Sequence, residues 1–281
     1  MNCVRVLCLA TALMLSAAAG LAGAESKSAL RVLLLTGQNN HNWKETTPAL
    51  QKILTTSRRF TVEVTEHPEQ CPPEALRTCD VVLSNWNELG PVKSWPEPFR
   101  NALLEFVRNG GGFVVVHAGG TMFGDWLEFQ KLIGATWGAG TGHGARHAFE
   151  VKFTDVPHPI TQGLVPFKIT DELWHRMVAQ PDKQILATAF SAPAKGGSGK
   201  DEPMVMVTQF GKGRGFNLVL GHDLQAIENP NFQTLLLRGT EWAATGRVTI
   251  VSADTAANPD GEKLDTGSAE RGVRGARRPA Q

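Results

Sequence analysis

Between residues 31 and 117, short apolar runs alternate with segments of helical period, and that alternation leaves few folds open. "RVLLLTG" (31–37) is a continuous apolar run closed by glycine, and "KETTPALQKILTTS" then spaces its apolar residues as a helix does. "FTVEVTE" (60–66) alternates like a strand. After a proline-rich connection with a short helix, "DVVLSNWN" (80–87) is another apolar run, with polar residues at its exit. "PEPFRNALLEFVRNGGG" is amphipathic, is stopped by glycine and feeds "FVVVH" (113–117). Strands that alternate with helices in this way predict an α/β fold with a doubly wound, mainly parallel sheet. Ligands of such sheets bind outside the carboxyl ends of the strands. Four strand exits are therefore of interest: Gly37–Trp43, Asn85–Asn87, His117–Gly120 and Gly221–Asp223.

The second half is less regular. "HAFEVKFT", "KQILATAF", "EPMVMVTQF" and "GRGFNLVLGHD" read as additional strands, the last two joined by the turn "GKG". "NFQTLLLRGTEWAA" reads as a closing helix, with Phe232, Leu235, Leu236 and Trp242 available to the core. Three regions are expected: residues 1–24 as a signal peptide, 30–250 as the folded domain, and 251–281 as a disordered basic tail ending "ERGVRGARRPAQ". The leader reading rests on Arg5, the apolar run "VLCLATALMLSAAAGLAGA" and the small residues "AGA" before Glu25, and it implies an exported protein, periplasmic or extracellular. No cysteine stands directly after that cleavage point, where Glu25 is found, so a lipid anchor is not indicated. Of the remaining cysteines, Cys71 and Cys79 can either close a small loop, which is worth roughly 2–3 kcal/mol in the chain-entropy picture, or stay as two thiols flanking a short helix.

The formal charge of +1 offers no electrostatic footprint for nucleic acid, and no interior run is long and apolar enough to span a bilayer. "GKGRG" is a strand-to-strand turn and lacks the Lys-Ser/Thr that a phosphate loop needs before a helix, so no nucleotide cofactor is expected.

The chemistry must then come from the histidines and carboxylates. His67 and His158 precede prolines and read as loop residues. His41 lies in "GQNNHNW", a stretch with more polar groups and an indole than a turn requires. His117 closes a wholly apolar strand, and a buried imidazole costs free energy unless both ring nitrogens are satisfied. "GTGHGARHAF" places His143 and His147 four apart in a glycine-rich loop, so that one of them is expected to face the site. "TDELWH" groups Asp171, Glu172 and His175 as a base or oxygen ligand, and "LVLGHD" ends a strand on His222 and Asp223.

The wording and order of "GQNNHNWKETTPALQKIL", "VVLSNWN", "NGGGFVVVHA", "GHGARHAFEV", "HPIT", "DELWHRM", "EPMVMVTQFGKGRGFNLVLGHD" and "FQTLLLRGTEWAATG" closely resemble the trehalose-utilisation (ThuA-like) family over residues 30–250. The resemblance implies the flavodoxin-like sheet of the class I glutamine amidotransferases. It also implies work on sugars, in some members alongside oxidoreductases that make 3-keto-glycosides. The amidotransferases present a cysteine after the strand that here ends at His117, and a late histidine that here is His222. Leu224 stands where their carboxylate is found. With no thiolate at the elbow, the nucleophile that glutamine amidotransfer needs is missing. One departure is recorded: after His117 the chain reads "AGGTMFGDW", where close relatives carry an asparagine-rich turn.

The expected activity is that of a carbohydrate-active lyase or hydrolase of (3-keto-)glycosides or disaccharides. His41, His117, Glu172 and His222 are the catalytic candidates. Asn40, Trp43, Asn85, Asn87, His143 and Asp223 are the substrate-binding candidates, and Trp86 and Trp126 are either sugar-facing or core. A divalent metal ion, if one is bound, is expected on His117, His222 and Glu172. The alternatives are a non-catalytic sugar-binding or scaffold domain and a metal-dependent amide hydrolase. The expected partner is a small sugar, with no nucleic acid and no membrane once the leader is removed. N-terminal sequencing of protein exported by a secretion-competent host is expected to read from Glu25; an intact Met1 would overturn the leader.

Overall fold

A computed structural model describes residues 28–251. The leader and all but the first residue of the basic tail lie outside the described residues. The first half follows the alternation of periods: β1 (Leu30–Leu35), α1 (Trp43–Thr56), β2 (Phe60–Thr65), β3 (Val81–Ser84), α2 (Glu97–Arg108) and β4 (Gly112–Val116). Then come α3 (Leu127–Ile133), the two-residue strands β5 (Ala135–Thr136) and β6 (Gly142–His143), β7 (His147–Phe153) and β8 (Phe167–Asp171). Two further short strands, β9 (Trp174–His175) and β10 (Val178–Ala179), precede β11 (Lys183–Phe190), β12 (Asp201–Phe210) and β13 (Gly213–Leu218). The short α4 (Leu224–Ile227) and the long α5 (Pro230–Thr245) end the domain.

Nine strands form one sheet in the order β2-β1-β3-β4-β13-β12-β11-β7-β8. The first five run parallel, and their order is that of a flavodoxin-like sheet. From β13 outward every pairing is antiparallel, so the second-half strands extend the parallel sheet in two antiparallel groups, first β12 and β11 beside β13 and then the pair β7/β8. β3 and β4 are buried along their whole length, which explains their unbroken apolar sequence. One core layer packs α1 and α5 through Leu50, Leu54, Leu235 and Leu236. The other packs α2 and α3 through Phe99, Leu103, Phe129 and Leu132. Of the residues expected in the α5 core, Phe232, Leu235 and Leu236 are fully buried and Trp242 is half-buried.

One sequence reading needs an addition, and one open alternative is decided. β8, "FKITD", is a strand that the apolar-run reading passed over, because only its alternate residues Phe167, Ile169 and Asp171 are buried. Cys71 and Cys79 are free thiols. Cys79 is buried beside the Leu76 carbonyl while Cys71 lies near the Thr65 hydroxyl, and burial pushes the Cys79 thiol up to about 12, which leaves it inert. No helix among the described residues is long and apolar enough to cross a membrane.

The end of the domain is tied down by a buried carboxylate. Glu241 on α5 accepts hydrogen bonds from Arg59 Nε (2.7 Å), the Thr249 amide (2.7 Å) and hydroxyl (2.6 Å), and the Ile250 amide (3.1 Å). Its side chain is fully buried, so removing it strands the Arg59 charge and three donors of the 249–250 segment together. Glu241→Ala is expected to lower unfolding free energy by about 3–5 kcal/mol, measured by urea denaturation; a loss under about 1 kcal/mol would mean water replaces the carboxylate.

Candidate functional site

Strand β4 ends in a sharp turn. His117 has φ +37, in the left-handed region that side chains rarely adopt, and opens a single helical turn through Thr121. Small residues make this possible: a Cβ at Gly119 would meet the Ser84 carbonyl oxygen at 2.5 Å. The His117 ring is buried, and its Nδ1 lies 2.7 Å from the Val219 carbonyl oxygen. A carbonyl only accepts, so Nδ1 carries the proton and donates it. In a neutral ring Nε2 is then left with a bare lone pair.

That lone pair faces a carboxylate. His117 Nε2 is 3.4 Å from Glu172 Oε2, and His222 Nδ1 is 3.3 Å from the same oxygen. His41 enters from the loop between β1 and α1. Its ring centroid is 4.9 Å from that of His117 and 4.4 Å from that of His222. One ligand atom from each of His41, His117, Glu172 and His222 lies within 4.8 Å of the others. His117 Nε2 and His222 Nδ1 are both buried without a completed hydrogen bond.

The electrostatics follow from this crowding. Desolvation, followed by repulsion from His117 and His222, pushes His41 down to about 4, so it is neutral near pH 7 and in the form that ligates a metal. Burial raises the Glu172 carboxyl, but the imidazoles of His117 and His222 outweigh it and hold the group far below the usual carboxylate range. His222 is shifted upward chiefly by its contact with Glu172. Four tetrahedral donors around one ion at bond lengths of about 2.1 Å sit about 3.4 Å apart, so a contraction of this cluster would close it on a cation. Neutral imidazoles with one carboxylate suit a first-row divalent metal.

Asp171 sets two of these residues in place. It is fully buried and accepts hydrogen bonds from the amides of Gly221 (2.7 Å), Glu172 (2.8 Å) and His222 (3.1 Å). The exit of β8 is thereby bound to the exit of β13, with Gly221 at φ +114 making the turn. "TDELWH" is thus divided three ways. Glu172 enters the cluster and Asp171 holds backbone. His175 turns away, with Nδ1 3.3 Å from the Ser191 hydroxyl.

Of the expected substrate-binding residues, Asn40 and His143 line a cavity of about 190 Å³ beside the cluster, together with His41, Glu172, Trp137 and Trp174. His143 Nδ1 lies 3.7 Å from Glu172 Oε1. Four others do not line it. Asn85 is buried and donates to the Thr46 hydroxyl (3.0 Å), and Asn87 is buried and donates to Asn40 Oδ1 (2.6 Å), so both serve to build the loops that carry His41. Trp43 opens α1 with Lys44 over its ring. Asp223 caps α4 through the Ala226 amide (3.0 Å) and pairs with Arg146 (2.7 Å). Trp86 and Trp126 belong to an aromatic core, Trp86 against Trp95 and Phe123, and Trp126 stacked on Phe129. The indoles at the cavity are Trp174, centred 4.6 Å from His117, and Trp137, centred 5.0 Å from Trp174. Sequence reasoning passed over Trp137; its only signal is an indole set between a short strand and the glycines of "ATWGAG".

A flavodoxin-like sheet with a left-handed elbow after β4 and a histidine after its fifth parallel strand defines the class: a flavodoxin-like α/β protein whose elbow presents an imidazole. Residues 31–243 match the family model described as trehalose utilisation, and the chain belongs to this ThuA family. No curated protein matches it. Among solved structures, it is similar to a ThuA-like protein of Parabacteroides merdae, with 33% identity over 79% of this chain and 92% of that one, at a TM-score of 0.70. A ThuA-like protein of Bacteroides uniformis is 20% identical over 82% of this chain and 97% of that one, at 0.61. A cytoplasmic protein of Salmonella typhimurium shares the fold alone, at 12% identity over 76% of this chain and 99% of that one and a TM-score of 0.55.

Replacing Asp171 by Asn puts an amide N–H against backbone donors. Asp171→Asn is expected to destabilise the fold by about 1–3 kcal/mol and to weaken divalent-metal binding in an equilibrium titration; unchanged metal affinity would make Asp171 a purely structural residue.

Proposed function

We propose that this protein is an exported, carbohydrate-active enzyme, a lyase or hydrolase of (3-keto-)glycosides that works with one divalent metal ion held by His41, His117, His222 and Glu172. The observation that carries the reading is the pair of buried, unpartnered nitrogens, His117 Nε2 and His222 Nδ1, aimed at one oxygen of Glu172. Lone pairs facing a carboxylate repel unless a proton or a cation lies between them, and a set of three imidazoles and a carboxylate is what a divalent ion takes. The sugar class is supported by the family's description, trehalose utilisation. Export rests on the Arg5-to-Ala24 leader pattern.

A ketone next to the ring carbon that carries a hydrogen acidifies that C–H. When bound, a divalent ion supplies a Lewis acid for the oxygen on which negative charge develops. Glu172 remains ionised through the neutral range, and its oxygens face two ways, Oε2 to the imidazoles and Oε1 toward His143. It takes the proton from carbon. The C–H electron pair becomes the new carbon–carbon π bond, and the glycosidic C–O bond breaks. His143, the exposed imidazole at the cavity edge, has Nδ1 on the Gly144 carbonyl, and in its doubly protonated form it gives the departing oxygen the proton of Nε2. The cavity walls, Trp174 and Trp137, keep bulk water from the reacting carbon.

Elemental analysis of purified protein, paired with turnover of a 3-keto-disaccharide, tests this reading. His117→Ala is expected to abolish metal retention and activity while leaving stability unchanged. A core-filling role would instead cost roughly 2–4 kcal/mol, and a destabilised variant that still binds metal would overturn the assignment. Metal must displace the proton that Glu172 helps His222 to keep, and His222 is the group shifted upward. Affinity should therefore rise with pH through that shifted pKa, and the melting-temperature gap between loaded and metal-free protein should widen from pH 6 to pH 9.

A further inference from the structure

The cavity beside the cluster is small. At about 190 Å³ it lies below the ~300–1,000 Å³ of clefts that enclose drug-sized ligands, and it has room for one six-membered ring with its substituents. Its inner end is formed by His41 and Glu172 and one wall by Trp137. The rim includes Leu89, a large apolar side chain left 59% exposed.

Trp137 is built as a rigid wall. Its amide donates to the Gly120 carbonyl oxygen (2.8 Å), which ties it to the turn that starts at His117. Its ring stands at 81° to that of Trp174, which is itself buried against His117. The backbone is therefore held by the turn and the ring by Trp174, yet the residue is only half-buried and lines the cavity. The polar groups around it have capacity to spare. Asn40 Oδ1 accepts from Asn87, which leaves the Asn40 amide N–H₂ free to donate. The Thr121 hydroxyl donates to the Ala118 carbonyl, which leaves its oxygen free to accept. His143 Nδ1 is engaged by the Gly144 carbonyl, which leaves Nε2. An aromatic face bordered by a donor and acceptors complements a pyranose ring, with its apolar C–H face and its rim of hydroxyls.

We infer that Trp137 is the stacking wall of a one-ring subsite, so that the protein takes the terminal sugar residue of a glycoside and leaves the rest of the molecule in solvent beyond Leu89. This assignment rests on the carbohydrate reading above and adds to it a specificity: the protein acts on chain ends and is indifferent to what the terminal ring is attached to. Trp137 is a specificity-determining residue, and it holds no part of the metal cluster.

The test uses the full mature chain, of measured metal content, and two glycosides that lack the ketone and so stay intact, methyl glucoside and trehalose. Dissociation constants are measured by calorimetry for wild type, Trp137→Ala and Trp137→Phe, with thermal melts to establish that each is folded. Wild type is expected to bind the two glycosides with affinities within fivefold of each other. Trp137→Ala is expected to weaken both at least fivefold, and Trp137→Phe, which keeps an aromatic face, less than fivefold, with metal content unchanged in both variants. Trehalose binding more than fivefold tighter than methyl glucoside would overturn the one-ring assignment, because the second sugar would then have a subsite of its own. A change below fivefold in Trp137→Ala would overturn the stacking role. Binding of neither glycoside by metal-loaded wild type overturns the inference together with the carbohydrate reading. Sugar binding that follows the expected pattern in a protein that holds no metal supports the subsite and removes only the metal assignment.

Discussion

Two imidazole nitrogens converge on one carboxylate oxygen, Glu172 Oε2, in a buried space where neither nitrogen has a completed hydrogen bond and the oxygen accepts only a long one, 3.5 Å, from Trp174 Nε1. The Val219 carbonyl fixes the tautomer of His117, so the lone pair of Nε2 is directed at Glu172 by a hydrogen bond made on the opposite side of the ring. His222 meets the same oxygen. An arrangement of this kind is unfavourable for neutral rings alone, since a buried polar atom without a partner costs about 1–3 kcal/mol. It is relieved by a proton or a cation, and the upward shift of His222 is the proton's share of that relief.

The fold assembles these groups by bringing strand exits together. The elbow after β4 and the turn after β13 are adjacent because those strands pair in the sheet, Val116 beside Leu218. β8 lies at the far edge of the same sheet, and its exit is drawn to the cluster by the buried carboxylate of Asp171, which collects amides from both sides. The left-handed backbone of His117 is the strained element, of the order of 1–3 kcal/mol for such conformations. The adjacent glycines, which leave room for the Ser84 carbonyl and for Trp174, allow that strain to persist. The elbow presents an imidazole whose second ring nitrogen is left facing Glu172.

Much of this was legible in the chain. The apolar runs of β1, β3 and β4 and the helical period of α1 and α2 sufficed for a doubly wound sheet, because buried parallel strands have no polar face to interrupt them. His41, His117 and His222 stood out because each lies in the segment that leaves a strand, where the sheet geometry delivers ligands. Glu172 was visible only as one member of "TDELWH". β8 itself was missed, since an edge strand with one buried face has too few apolar residues to register as a run.

Sequence alone determined the α/β class, the strand exits that matter and the residue types available there, since these follow from local periodicity and from chemistry that each side chain carries with it. Only the tertiary structure decided which polar residues meet. Asn85, Asn87 and Asp223 stand at strand exits as plausible in sequence as that of His117, yet their side chains are taken up by Thr46, Asn40 and Arg146. Trp86 stands at a strand exit and Trp137 in a segment without a pattern, but the first fills the core behind the sheet while the second walls the cavity. The physical reason is that hydrogen-bond partnership and burial are settled by contacts between segments far apart in the chain, such as Asp171 with Gly221 and Val219 with His117, and no local pattern encodes those.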